Sequence, residues 1–487
     1  MELGSSPPGG PTPDSRMVAG IMSGTSLDGV DVALVRVDGI HPQDLRVEVS
    51  AFRSYLHPEW LRERMRQAMQ GAGARELALL HRELGHSFAR ALKGLLEEEG
   101  IASTAVAAVG SHGQTFWHEP PATTLQLGCG HTVAEATGIP VVTDFRSRDL
   151  AAGGQGAPLV PWPDWILFRR PGRGRALQNL GGMGNVTYLP SHGGPESVLA
   201  FDTGPGVALL DGVARRASDG RDAWDVDGRR AAAGRERGDL LEELLSDPFF
   251  SIPPPRSTGR EHFGDGYLDA LIQRVRPDQE GEQGWNDLLA TLTALTAESV
   301  SRAYRDFLPW DDIHEVILTG GGARNPALVR RLETALAPIP VRTGLKALSD
   351  GGPAVDPDSR EAVAFALLAW AHLQGVPANL PQVTGAEGPR VLGSLIPGRT
   401  PGRTPLGGRS ASEPPLPLPG GLVPGRIPPA PSLPLPGGLV PGRIPPAPPL
   451  PLPDGSVPSR IRPTPPADPA PADPAPADPA PPTQEEA

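Results

Sequence analysis

Apolar positions alternate with small or polar ones along residues 17–22 and 30–37, the period-two pattern of strands that bury one face. The two runs read as a hairpin joined by a small-residue turn. Leu77, Leu80, Leu84, Phe88, Leu92 and Leu95 recur at steps of three or four, which predicts an amphipathic helix. Leu288, Leu289, Leu292, Leu295 and Val300 predict another. Short apolar runs at 104–110, 139–143, 198–202 and 315–318 read as buried strands. Residues 175–180 and 185–189 read as a second hairpin around Gly181–Gly184. Asn325 as cap and Pro326 in the first turn start a helix through Leu336. An apolar helix covers 362–370, with Glu361 in its first turn. Strand, glycine loop and helix in this order make an α/β chain. A glycine hairpin near the start of each half hints at a duplicated architecture with a ligand cleft between the halves.

The chemistry sits in the loops. Residues 20–31, Gly-Ile-Met-Ser-Gly-Thr-Ser-Leu-Asp-Gly-Val-Asp, crowd backbone N–H groups, two hydroxyls and two carboxylates into one turn. That mixture suits phosphate oxygens and a divalent ion, and it also suits an ordinary β-turn. Phe-Asp-Thr-Gly-Pro-Gly at 201–206 brings Asp202 to a strand end beside the N-terminus of the next helix, where anions are favoured. Asp202 is there either a general base or a helix cap. Thr-Gly-Gly-Gly-Ala-Arg-Asn-Pro at 319–326 is a third glycine loop after a strand. Three such loops are enough to surround a nucleoside triphosphate, and no Walker lysine pattern accompanies them. Arg146 and Arg148 are candidates for a substrate carboxylate or for salt bridges to Asp144 or Asp149. His112 is a candidate ligand or a satisfied core histidine. Glu361 is a helix-dipole partner or a group facing a cleft.

Composition narrows the folded part. The final stretch, 398–487, holds about half of the 61 prolines. It contains two near-identical copies of a proline–glycine motif, starting at Leu416 and Leu433, and Ala-Asp-Pro-Ala-Pro repeats from Ala467. It reads as a disordered spacer, or as a ligand for a proline-recognising partner. Residues 1–15 are Gly/Pro/Ser-rich and are expected to be disordered. The single cysteine, Cys129, excludes an intrachain disulfide. A net charge of −12 argues against general nucleic-acid binding. No segment is long and apolar enough to span a membrane, and no secretion signal is visible, so a cytoplasmic protein is expected.

These motifs, together with Ser-His-Gly-Gln-Thr at 111–115, the segment 144–158, Gly181–Gly182 with Asn185, Ser-Thr-Gly-Arg at 257–260 and Val-Thr-Gly-Ala at 383–386, resemble the anhydro-N-acetylmuramic acid kinases in kind and order over roughly 17–397. The resemblance implies two actin-like (ribonuclease H-like) domains around an ATP cleft, 16–135 with 380–397 returning and 136–379. It implies ATP and Mg²⁺, a bicyclic amino sugar as substrate, and a homodimer. It implies Asp202 as the catalytic base. It implies nucleotide contacts from Gly24, Thr25, Ser26, Leu27, Asp28, Gly29, Val30, Asp31, Gly204, Gly206, Gly320, Gly321 and Gly322. Arg148, Glu361 and His112 are implied near the sugar; the metal ligands are left open. Val207 and Gly184 depart from the family pattern. A conventional sugar kinase of the same superfamily and a non-catalytic nucleotide switch are the alternatives.

Overall fold

The computed structural model describes residues 15–24, 27–344, 355 and 357–399. Thr25, Ser26, residues 1–14 and the proline-rich segment from 400 onward lie outside the described residues, and the expectations placed on them go with them.

The first sheet opens with β1 (Arg16–Ser23), β2 (Gly29–Asp38) and β3 (Arg46–Leu56), an antiparallel meander. β4 (Val106–Glu119) lies parallel to β1 and carries β5 (Thr123–Leu127) as a hairpin at its far end. β6 (Val141–Thr143) adds in parallel beside β4. The second sheet repeats the plan: β7 (Gly174–Leu180), β8 (Met183–Leu189) and β9 (Leu199–Pro205) form a meander, and β10 (Ile313–Thr319) and β11 (Val341–Thr343) continue in parallel beside β7. β12 (Ser394–Ile396) returns to the first sheet, antiparallel to β6. With the β5 hairpin set aside, the strands of each half lie, in order of appearance, 3-2-1-4-5, with the second antiparallel to the rest. This is the duplicated ribonuclease H-like arrangement implied above.

Two stretches whose polar or glycine-rich composition suggests loops are strands. Residues 111–115 lie inside β4, with Ser111, His112 and Gln114 buried. Gln114 Oε1 accepts from Ser23 Oγ at 2.7 Å, while Ser111 Oγ and Gln114 Nε2 are buried without a hydrogen-bond partner among the described residues. Thr203–Pro205 likewise extend β9 rather than forming a turn.

One helix ties the halves together. Along Arg360–Leu373, every residue from Ala362 to Ala371 is buried, the pattern of a helix apolar on all sides. Its backbone rests directly on the first sheet. Gly20 and Gly110 are neighbours across the β1–β4 ladder. A Cβ on Gly20 would lie 1.8 Å from Ala362 O, and one on Gly110 would lie 2.0 Å from Phe365 O. The same core holds Val18 and Met22 from the first sheet, Leu177, Leu189 and Ile317 from the second, and Trp162, Trp165 and Phe168 of the helix Pro161–Phe168. Buried Asp164 of that helix accepts from Arg360 Nε at 2.8 Å and also pairs with Arg360 Nη2.

Alanine at Gly20 or Gly110 must push the helix off the sheet. Each substitution is expected to destabilise by at least about 1–3 kcal/mol, the range of core overpacking, read as a lower urea midpoint. Gly321→Ala, where an added Cβ meets nothing within 4 Å, should leave the midpoint nearly unchanged.

Candidate active site

A cavity of about 620 Å³ opens between the two halves. Its wall brings together Asp202 of β9, Glu361 at the start of the Arg360–Leu373 helix, Arg146, and the segment Ser257–Thr258–Gly259 with Glu261. Asp202 is fixed through its backbone and one oxygen. Its N–H donates to Arg256 O at 3.2 Å, and its carbonyl accepts from Arg256 Nε at 2.9 Å. Its Oδ2 accepts from Thr258 N–H at 2.8 Å, and Oδ1 has no hydrogen-bond partner among the described residues. Burial pushes the Asp202 carboxyl up to about 6, with Glu261 adding to the rise and Thr258 N–H and Arg256 opposing it. The helix-cap alternative does not describe this carboxylate, since its hydrogen bond goes to Thr258 and not to the helix Ala208–Ala217.

Arg256 organises the wall without entering the chemistry. Its Nη1 donates to the carbonyls of Phe249, Phe250 and Ile252. Its guanidinium lies 4.8 Å from the ring centroids of Phe249 and Phe307 and 5.3 Å from that of Phe201. Nothing local in the sequence signals this residue, because its partners are distant carbonyls and rings.

Of the two arginines in the segment 144–158, the structure turns Arg146 to the cavity; Arg148 is exposed and absent from the lining. His112 stands behind Arg146. Its Nε2 accepts from Arg146 Nε at 3.0 Å, and an arginine only donates. The ring is therefore neutral, with its Nδ1–H donating to Gly113 O at 2.9 Å. Burial first, and then the Arg146 charge, hold His112 well below its ordinary range. Arg146 Nη1 donates to Gly156 O at 2.7 Å, which leaves Nη2 without an acceptor among the described residues. The loop carrying Gly156 is clamped by buried Asp149, whose oxygens accept from Gly156 N–H, Asn379 Nδ2 and Thr384 Oγ1 at 2.7–2.8 Å. Glu361 is reachable by water yet enclosed by protein. That enclosure raises its carboxyl, Arg360 and Arg146 pull it down, and Asp31 and Asp164 add to the rise.

The glycine loops separate into different jobs. Leu27 N–H donates to Gly24 O at 3.2 Å and closes the first turn, with Leu27 at φ 61°. Gly29 is required by the neighbouring strand, since its Cβ would lie 2.4 Å from Tyr55 O. Val30 is buried, and Asp28 is exposed within 3.8 Å of Arg62. Asp31 accepts from Ser54 Oγ at 2.5 Å, and burial raises its carboxyl. At the second loop, the expected free N–H groups are already bonded: Gly206 and Ala208 donate to Gly182 O, and Val207 donates to Gly181 O. Gly206 has no room for a Cβ because Gly181 O would lie 2.1 Å away, and Gly204 has φ 133°. At the third loop, Gly321 and Gly322 line a second cavity of about 340 Å³ with Val207, Asp211, Trp224 and Asn325. Gly320, at φ 78°, lets the loop pass Asn179. The two departures from the family pattern are steric: Val207 Cγ1 packs over Gly322, and a Cβ on Gly184 would lie 2.7 Å from Thr203 Oγ1.

Residues 16–398 match the family model described as anhydro-N-acetylmuramic acid kinase. A protein of that name from Gloeobacter violaceus is 46% identical over 391 residues, covering 79% of this chain and 99% of that one. One from Caldanaerobacter subterraneus subsp. tengcongensis is 41% identical over 394 residues, covering 78% and 97%. One from Salinibacter ruber is 44% identical over 396 residues, covering 79% and 97%.

The buried neutral histidines set an acid limit on stability. His112 titrates well below 6.5, and burial pushes His57 down to about 4. Unfolded histidines take up protons near 6.5, so below that pH the unfolded chain binds protons that the native state refuses. Their contribution is complete above about 6.5 and is lost as pH falls towards 4. Urea midpoints between pH 7.5 and 5 should fall accordingly, and a His57→Asn/His112→Asn variant should show a shallower decline.

Proposed function

The chain belongs to the anhydro-N-acetylmuramic acid kinase family, and on that premise we propose how its residues divide the work. The protein is an ATP-dependent kinase that opens the 1,6-anhydro ring of 1,6-anhydro-N-acetylmuramic acid and phosphorylates O6, in peptidoglycan recycling. In our reading Asp202 takes a proton from water as that water bonds to the anomeric carbon. The bond from that carbon to O6 breaks, O6 bonds to the γ-phosphorus of ATP, and the bridging oxygen leaves with ADP. One carboxylate suffices, because phosphoryl transfer to O6 takes the place of the general acid of an ordinary glycosidase. The observation that carries this reading is the Asp202 carboxyl itself. It is buried on the cavity wall, held at one oxygen by Thr258 N–H, unbonded at the other, and raised to about 6. That leaves it ionised at neutral pH and far more basic than a surface aspartate.

Arg146, rather than Arg148, is assigned to the lactyl carboxylate of the substrate, since its unpartnered nitrogen belongs to a residue on the cavity wall. His112 acts through Arg146 and does not itself line the cavity. The 340 Å³ cavity beside Gly321 and Gly322 is assigned to the adenosine end of ATP. Among the described residues no three metal-ligating side chains converge, which fits Mg²⁺ carried mainly by phosphate oxygens and water. Asp31 is the carboxylate assigned to it, because it belongs to the first glycine loop and its charge acts on Glu361 of the cavity wall. The ion neutralises charge on the β- and γ-phosphates when bound. The same reading puts the reaction in the cytoplasm, in a cleft between bodies spanning 16–135 with 380–397 and 136–379.

Turnover in heavy-oxygen water tests the coupled chemistry. Product sampled before anomeric exchange should carry one solvent oxygen at the anomeric carbon; phosphorylation without it would move the chain to the conventional sugar kinases. Asp202→Asn should lower kcat by about 10²–10⁴-fold, the usual worth of a general base, with ATP affinity retained. In the wild type, kcat/KM should drop about tenfold per pH unit below about 6, where the base becomes protonated.

A further inference from the structure

The segment that holds Asp202 also carries a cation that the chemistry above leaves unused. Pro255, Arg256, Ser257, Thr258, Gly259 and Glu261 line the 620 Å³ cavity, and Arg260 does not. Its side chain points elsewhere. A Cβ placed on Gly182, at the tip of the β7–β8 hairpin, would lie 3.9 Å from Arg260 Nη2. The Arg260 charge also bears on Asp211, whose carboxyl it helps to lower against burial, and Asp211 lines the 340 Å³ cavity. The guanidinium thus reaches from the wall holding the base to the glycine tip and the nucleotide-side cavity. Its root is fixed. Gly259 O accepts from the N–H groups of His262 and Phe263 at 3.1 and 3.0 Å, and Gly264 has no room for a Cβ because Arg260 O would lie 2.0 Å away. Its head is not: Arg260 is exposed, and no hydrogen bond or ion pair engages it among the described residues.

The contrast with Arg256, four residues earlier, is informative. Arg256 has its donors on carbonyls and its face against three rings. Arg260 offers five N–H donors in a planar fork and meets no acceptor among the described residues. A guanidinium so placed, at the glycine tip beside the nucleotide-side cavity and rooted in the segment that holds the base, suits an anion that is present only while the site is loaded.

We propose that Arg260 is a catalytic residue that donates to the non-bridging oxygens of the transferring phosphoryl group. This rests on the kinase reading above. As O6 bonds to phosphorus and the bond to the leaving ADP oxygen breaks, negative charge spreads over the phosphoryl oxygens, and a bidentate arginine holds that charge in place. The proton from the attacking water goes to Asp202 and then to solvent, so Arg260 neither gains nor loses one.

The test compares Arg260→Ala, Arg260→Lys and wild type for ADP release, for the KM of the anhydro sugar, and for ADP affinity in the absence of sugar. Arg260→Ala should lose about 10³-fold in kcat, at the lower end of what a charge-stabilising arginine contributes to phosphoryl transfer. The sugar KM and ADP affinity should stay within about threefold. Arg260→Lys should recover only a small part, because an ammonium lacks the planar fork. Added guanidinium at low millimolar concentration should restore part of the Arg260→Ala rate and none of the Asp202→Asn rate. An unchanged urea midpoint shows that the loss is not misfolding. A normal kcat in Arg260→Ala overturns the proposal. So does a defect confined to the sugar KM, which would make Arg260 a carboxylate-binding residue. Absence of sugar-dependent ADP release in the wild type would instead sink the kinase reading itself.

Discussion

The architecture depends on backbone meeting backbone. Gly20 and Gly110 lie side by side across β1 and β4, and the carbonyls of Ala362 and Phe365 occupy the space their side chains would need. No rotamer intervenes between the first sheet and the Arg360–Leu373 helix. The first turn of that helix carries Arg360 and Glu361, both on the cavity wall. Arg360 in turn grips Asp164 of the helix Pro161–Phe168, whose tryptophans pack in one core with residues of the second sheet. The position of Glu361 is therefore set by main-chain contact on one side and by a buried ion pair on the other. A pair of this kind is costly to break because the surviving charge is left without its partner.

The site uses charge at second hand. Arg256 and His112 never reach the cavity chemistry, yet each fixes a group that does. His112 acts as a neutral acceptor, so the group that orients Arg146 brings no counter-charge of its own. Arg146 thereby keeps one nitrogen for a ligand. Asp149 works the same way in reverse: a buried carboxylate bonded to an N–H, an amide and a hydroxyl, holding the loop whose Gly156 carbonyl receives Arg146. Neutral partners keep the orienting contacts strong in a low-dielectric interior.

Local signals in the sequence carried the local structure. The β1–β2 hairpin, the helix Ala74–Glu98 and the start of the helix Pro326–Ala335 were all legible. The last begins at Asn325 because its Oδ1 accepts from the N–H groups of Ala327 and Leu328. The edge strand β3 has most of its side chains in solvent, which weakens its apolar pattern. The strand through Ser111–Thr115 looks like a loop because two of its buried polar atoms, Gln114 Oε1 and His112 Nε2, find their partners in Ser23 and Arg146, far away in the chain. Spacing alone could not choose between Arg146 and Arg148. The short helix Ser147–Ala151 begins between them, and only the fold decides which side chain meets the cavity. Arg256 was invisible for the same reason: three rings and four carbonyls assemble around it in space and leave no motif behind.

The reciprocal bonds between Asp202 and Arg256 have a consequence for heat inactivation. The strand end that supplies the base and the segment that supplies the wall are stitched together by one backbone–backbone bond and two bonds that each pair a side chain with a backbone group. Neither can loosen while the other stays in place. Local opening of 249–261 therefore removes the base and the sugar wall in one event. On rising temperature, the population of enzyme divides into molecules that are fully competent and molecules that are silent. Residual activity then counts intact sites rather than averaging damaged ones.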